Sequence, residues 1–126
     1  MLYSASVRAT LPVVNIKRAK KFYQEKIGLK VVKEDPTPGL LLECKDGSSI
    51  YLYQRGATKA DHTVAAFTVK DIEAEVKDLK SKGIKFEDYD IPGMGLKTVN
   101  GIATMGEYKT AWFKDTEGNI LGIANM

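Results

Sequence analysis

The chain has 126 residues, of which 44% are hydrophobic and 28% charged, with 19 basic and 16 acidic side chains for a formal net charge of +3. That length suits one domain burying roughly 65–70% of its unfolded surface, and the composition sets aside disordered, collagen-like and coiled-coil classes. The charges are interspersed, and the cluster Lys17-Arg18-Ala19-Lys20-Lys21 reads as the wet face of a helix without aromatic partners, so no nucleic-acid partner is expected. No membrane partner is expected either, because 18 consecutive apolar residues never occur. Residues Met1 to Ser6 lack a basic start and a long apolar run, which predicts no secretion signal. A single cysteine, Cys44, cannot form an intrachain disulfide or a thiolate cluster and fits a reducing cytoplasm.

In chain order, Val7 to Val13 alternates as a strand with Pro12 at its end or on an edge. Asn15 then caps a helix whose stripe is Ile16, Ala19, Phe22, Tyr23 and Ile27, and Gly28 stops it. Three runs with strand character follow, Lys30 to Glu34, Gly39 to Cys44 and Ser49 to Gln54, with Asp46-Gly47 as a hairpin turn. Beyond the loop Gly56 to Asp61 a second strand leads to Asp71, which caps a helix with Ile72, Val76 and Leu79 inward and Gly83 as its stop. Strands are then expected over Ile84 to Asp88, Lys109 to Lys114 and Ile120 to Asn125, with Glu117-Gly118 as a turn.

This order is an internal repeat. Val13, Asn15 and Ile16 align with Val69, Asp71 and Ile72, and Gly28-Leu29-Lys30-Val31 with Gly83-Ile84-Lys85-Phe86. The offset grows by about 15 residues before Asp46-Gly47 meets Glu117-Gly118. The surplus lies between Tyr89 and Tyr108, a stretch with Gly93, Gly95, Gly101 and Gly106 among Met94, Leu96, Ile102 and Met105. A lid, a dimer contact and disorder all suit such a segment. The expected domain is 1–126, with modules at about 6–55 and 62–126.

The run Leu11-Pro12-Val13-Val14-Asn15-Ile16 through Phe22-Tyr23 and Ile27-Gly28-Leu29, with the closing Asp115-Thr116-Glu117-Gly118-Asn119, resembles the vicinal oxygen chelate superfamily of glyoxalase I, bleomycin-resistance proteins and extradiol dioxygenases. Thr116 stands where that family's closing turn has proline. The resemblance implies an α+β fold, two βαβββ modules forming an eight-stranded mixed sheet cup, often completed in a homodimer. Its metal-dependent members place ligands on the first and last strand of each module. Those positions are Arg8, Tyr51, Val64 and Gly122 here, and none is a plausible divalent-metal ligand. No metal and no cofactor are therefore expected. His62, Glu43 and Glu107 are the other donors that a shifted register could bring in.

Under that fold Arg8, Thr10, Tyr51, Tyr53, Val64, Ala66, Thr68, Gly122 and Ala124 face the cup. The ligand-binding candidates are Arg8, Thr10, Tyr51, Tyr53, Thr68 and Trp112. Arg8 suits a carboxylate or phosphate, from a ligand or a neighbouring Glu; Trp112 offers a stacking surface or core packing; Cys44 fills space. No Ser-His-Asp, Cys-His or paired-carboxylate arrangement can be assembled. The leading expectation is a metal-independent small-molecule binding protein, sequestering an aromatic or anionic ligand. Bleomycin itself, a cation, does not suit a basic chain with Arg8 in the cup. The alternatives are a glyoxalase-like lyase, isomerase or dioxygenase with non-standard metal ligands, and a dimeric interaction protein with a filled cup.

Overall fold

Pro12 has no N–H to give a second neighbour, so its strand belongs at a sheet edge. In the computed structural model, which describes residues 1–126, this strand, β1 (Ala9–Val13), is such an edge. It joins β2 (Lys30–Asp35), β3 (Gly39–Glu43) and β4 (Ser49–Gln54) in a sheet of order β1-β4-β3-β2, with β1 and β4 parallel and the other pairs antiparallel. Two compact units divide the chain: Met1–Lys59 with Thr116–Gly118, and Ala60–Asp115 with Asn119–Met126.

In the first unit, alternation puts Leu11, Val13, Leu40, Leu42, Ile50 and Leu52 on one buried face. The helix α1 (Ile16–Lys21) contacts β3 and β4 and is capped by the Asn15 side chain, which accepts from the Arg18 N–H at 3.0 Å. Each large aliphatic side chain buried there contributes about 1.5–3 kcal/mol. The helix does not run on to Ile27 as an α-helix. Residues Phe22–Lys26 form a π-helical turn closed by Ile27 N–H donating to Phe22 O. Phe22 and Tyr23 are sequence neighbours yet both buried, ring to ring at 5.4 Å, within this wider turn. At the other hairpin, Asp46 and Gly47 both take positive φ, the geometry of a tight primed turn.

The first turn of α1 carries no acidic residue, and its free N–H groups find their partner far along the chain. Glu117, its side chain 1% exposed, accepts from the Val14 and Asn15 N–H groups at 2.9 Å each. It also accepts from Arg18 Nε at 2.8 Å and Nη2 at 3.0 Å, and from Thr116 Oγ1 at 2.6 Å. Arg18 and Lys20 are therefore not simply a wet face: Lys20 pairs with Glu34, and Ala19 is fully buried.

The second unit contains β5 (Thr63–Thr68), α2 (Ile72–Ser81), β6 (Asp90–Ile91), β7 (Leu96–Val99), β8 (Ile102–Met105), β9 (Tyr108–Lys114) and β10 (Ile120–Ala124). Their sheet has the order β5-β10-β9-β8-β7-β6, so four strands and six stand where one eight-stranded sheet was expected. Asp71 caps α2 as anticipated, accepting from Ala74 N–H at 3.1 Å. The expected strand over Ile84 to Asp88 is absent, reduced to one bridge from Phe86 to Phe113. The surplus segment folds into the β7–β8 hairpin, and β8 pairs with β9 from Ala111 to Tyr108, next to the Phe86–Phe113 bridge on the same flank.

That segment is thus an ordered hairpin rather than disorder. Asn100-Gly101, both at positive φ, makes the hairpin turn, and Gly106 (φ 64) turns β8 into β9. A Cβ on Gly101 would lie 2.9 Å from the Phe86 Cβ, so glycine is needed there for space as well as for its backbone. Asp88 holds the displaced strap down, accepting from Thr98 Oγ1 at 2.9 Å and Gly101 N–H at 3.2 Å. The closing turn is tied by Asp115, whose carboxylate accepts from the Asn119 N–H and Nδ2, each at 2.8 Å.

Burial pushes the Glu117 carboxyl up, but hydrogen bonds from Arg18, Thr116 and the Asn15 and Val14 N–H groups outweigh it and hold the pKa at about 2, against an ordinary 4.5. The folded-state value is the lower one, so this stabilisation is complete above about pH 4.5 and is lost as pH falls toward 2. Glu117→Gln should therefore cost about 2–3 kcal/mol at pH 7 and almost nothing near pH 2. Urea unfolding at several pH values measures this, and a deficit independent of pH would contradict it.

Candidate functional site

Strand alternation leaves one face of the first sheet without a helix over it. Thr10 and Pro12 of β1 pair there with Tyr51 and Tyr53 of β4, and Leu41 of β3 lies opposite Tyr51 on the other side. Lys33 and Asp35 of β2 join them because the β2–β3 register shifts between Val31 and Lys33. Without that bulge Lys33 would share the face of Val31, opposite Leu42; one extra residue turns the rest of β2 over.

Tyr51 is the centre of this face. Its ring reaches diagonally across β3 into the space above Gly39, where a Cβ would stand 1.9 Å from Tyr51 Oη and 2.5 Å from Cζ. From there Oη donates to Asp35 Oδ2 at 3.4 Å. Asp35 Oδ1 accepts from the Thr37 hydroxyl at 2.7 Å and the Thr37 N–H at 3.1 Å. Those bonds, the Thr37 hydroxyl first, lower the Asp35 pKa, with Tyr51 and the nearby Lys33 charge acting the same way.

Arg8, two residues before Thr10, lies over the Tyr51 ring with its guanidinium carbon 5.7 Å from the centroid, a contact worth about 0.5–1 kcal/mol at an exposed site. Arg8, Lys33, Asp35, Leu41 and Tyr51 line a pocket of about 250 Å³. Two cations, one carboxylate already accepting from Thr37 and Tyr51, a phenol and an aliphatic wall thus converge there. Such a pocket can orient a small polar ligand by charge and shape.

The same geometry tests the metal site that the resemblance implies. Arg8 and Tyr51 bring a guanidinium and a phenol, and Val64 and Gly122 bring no donor. Asp35 is the only carboxylate of the pocket, and its oxygens accept from Thr37 and Tyr51. No three His, Cys, Asp or Glu side chains come together as a metal-binding group. His62 is solvent-exposed with Asp61 at 3.7 Å, and Glu43 and Glu107 are exposed. This donor set does not fit a divalent cation.

Of the sequence candidates, Arg8, Thr10, Tyr51 and Tyr53 thus share the open face of the first sheet. Thr68 and Trp112 belong to the second unit, where Gly122 pairs with Trp112 on one side and Ala66 on the other, and Ala124 pairs with Thr68. Trp112 is half-buried with its ring edge-on to Tyr89 at 5.3 Å, which serves packing and leaves part of the indole accessible. Cys44 is half-buried, and that burial raises its thiol pKa, as suits a space-filling residue. Lys33, Asp35 and Gly39 were missed because a bulge and a close approach leave no signature in residue spacing.

The sequence model described as the Glyoxalase/Bleomycin resistance protein/Dioxygenase superfamily matches residues 6–123. Among solved structures, UcmS2 aligns at 20% identity over 94% of this chain and 96% of its own, with a TM-score of 0.73. TnmS3, an antibiotic binding protein from Streptomyces sp. CB03234, aligns at 21% identity over 95% of each chain, with a TM-score of 0.71. The fosfomycin resistance protein FosX from Listeria monocytogenes, complexed with Mn(II) and sulfate, aligns at 12% identity over 95% of this chain and 88% of its own, with a TM-score of 0.67. No curated protein sequence matches the chain. At these identities the structural likenesses establish the fold alone.

The close approach at Gly39 has a measurable consequence. Gly39→Ala should lower the thermal midpoint clearly, on the order of 1–3 kcal/mol of overpacking. In a Tyr51→Ala background the same change should be neutral, because the phenol it would strike is gone. Equal losses in both backgrounds would show that the Tyr51 ring does not occupy the space above Gly39.

Proposed function

Because the chain belongs to the Glyoxalase/Bleomycin resistance protein/Dioxygenase superfamily, we propose that it is a metal-independent small-molecule binding protein whose aromatic or anionic ligand lies on the open face of β1 to β4. The observation that carries this reading is the pocket of Arg8, Lys33, Asp35, Leu41 and Tyr51, in which Arg8 and Tyr51 hold positions where the resemblance implies metal ligands. Family enzymes use a metal ion to polarise substrate oxygens; here the charged and hydrogen-bonding groups are a guanidinium, an ammonium, a carboxylate and a phenol. The pocket holds no Ser, Cys or His, and its Lys33, Asp35 and Tyr51 have no adjacent histidine to act as a base. Binding and orientation are what these side chains can do.

The neighbour TnmS3 is an antibiotic binding protein, which agrees with a sequestering role. The manganese complex of FosX is the precedent for the other chemistry in this fold. A lyase, isomerase or dioxygenase of that kind would need ligands that this pocket lacks. We propose that the chain acts as a homodimer, as the resemblance implies.

Elemental analysis of protein purified from metal-replete cells should find well below one transition-metal ion per chain, and its thermal midpoint should not move on chelation. Stoichiometric manganese, iron, nickel or zinc would overturn metal independence. Calorimetry should detect no tight bleomycin binding, since Arg8 and Lys33 repel a cation.

A further inference from the structure

Building on the open face as the ligand site, we propose that Arg8 and Lys33 together hold one oxyanion carried on a small apolar body, and that Gly39 sets whether the site is open. Both cations line the same pocket of about 250 Å³, below the roughly 300–1,000 Å³ usual for drug-sized ligands. A ligand there is a small molecule or one end of a larger one, and it meets both charges.

Neither Arg8 nor Lys33 makes an ion pair within the chain. Asp35 is the one carboxylate at hand, and its oxygens already accept from Thr37 and Tyr51. The pocket therefore keeps one net positive charge and unspent N–H donors, the complement of a carboxylate or a phosphonate. Leu41 and the Tyr51 ring supply the apolar wall against which the rest of the ligand lies.

Gly39 acts through Tyr51. The phenol rests above Gly39 with no room for a Cβ, which lays the ring along the sheet and leaves the pocket beside it, lined by Arg8 and Lys33, free. A methyl group at position 39 lifts the ring off β3 into that volume. Gly39 is thus a specificity-determining residue that never touches the ligand.

Chemical-shift titration at pH 7 with benzoate, benzamide and benzylamine, nearly equal in size and different in charge, tests both parts. Benzoate should shift the Leu41 methyl and Tyr51 ring signals with an affinity at least about tenfold above benzamide, and benzylamine should not bind. Arg8→Gln and Lys33→Gln should each remove most of that preference for benzoate over benzamide. Gly39→Ala should weaken benzoate at least about tenfold in the native background and by less than about twofold in a Tyr51→Ala background.

Equal binding of benzoate and benzamide at Leu41 and Tyr51 would overturn the clamp and leave the binding face standing. No shift at Leu41 or Tyr51 with any of the three probes would overturn both. An effect of Gly39→Ala that is the same in both backgrounds would overturn the role given to Gly39.

Discussion

The Glu117 carboxylate is the interaction on which the first unit turns. A helix that starts with Ile16-Lys17-Arg18 offers exposed N–H groups and a positive end but no acid of its own to meet them. Glu117, one hundred residues on, supplies that charge to the Val14 and Asn15 N–H groups and to the Arg18 guanidinium at once. Burying a carboxylate is costly, and here two N–H groups, one hydroxyl and one bidentate guanidinium offset that cost. The segment Thr116–Gly118 consequently belongs to the first unit, although the strands on either side of it belong to the second.

Anchoring the start of α1 also fixes what the first sheet can present. The helix covers the face of Leu11, Leu40, Leu42, Ile50 and Leu52, so the period-2 partners Thr10, Leu41, Tyr51 and Tyr53 remain on the other side. The bulge in β2 then adds Lys33 and Asp35 to that face. A pocket of opposite charges around an aromatic ring is the joint product of alternation and one break in it.

In the second unit the same module has been remodelled by extra chain. The β7–β8 hairpin captures the edge of β9, and residues 84–88, which have strand character, are left as a strap held by Asp88 and Thr98. Asn100-Gly101 did carry a readable signal, since that dipeptide favours the primed turn of a hairpin. Glycine density around it suggested irregular chain, whereas Gly101 and Gly106 are spent on two tight turns within an ordered sheet.

Local chemistry determined much of this protein from the sequence alone. The caps at Asn15 and Asp71, the stops at Gly28 and Gly83 and the turn at Asp46-Gly47 follow from side chains acting on their own neighbours, and the family from a resemblance of motifs. The absence of metal ligands at Arg8, Tyr51, Val64 and Gly122 was likewise a matter of identity at counted positions. Tertiary structure alone decided the rest. Whether strands close into one sheet or form two, which residue neutralises the start of α1, which way Lys33 points, and why position 39 has no side chain all depend on contacts between residues distant in the chain. Spacing encodes the period of an element, but not a bulge that interrupts it or a neighbour that arrives from elsewhere.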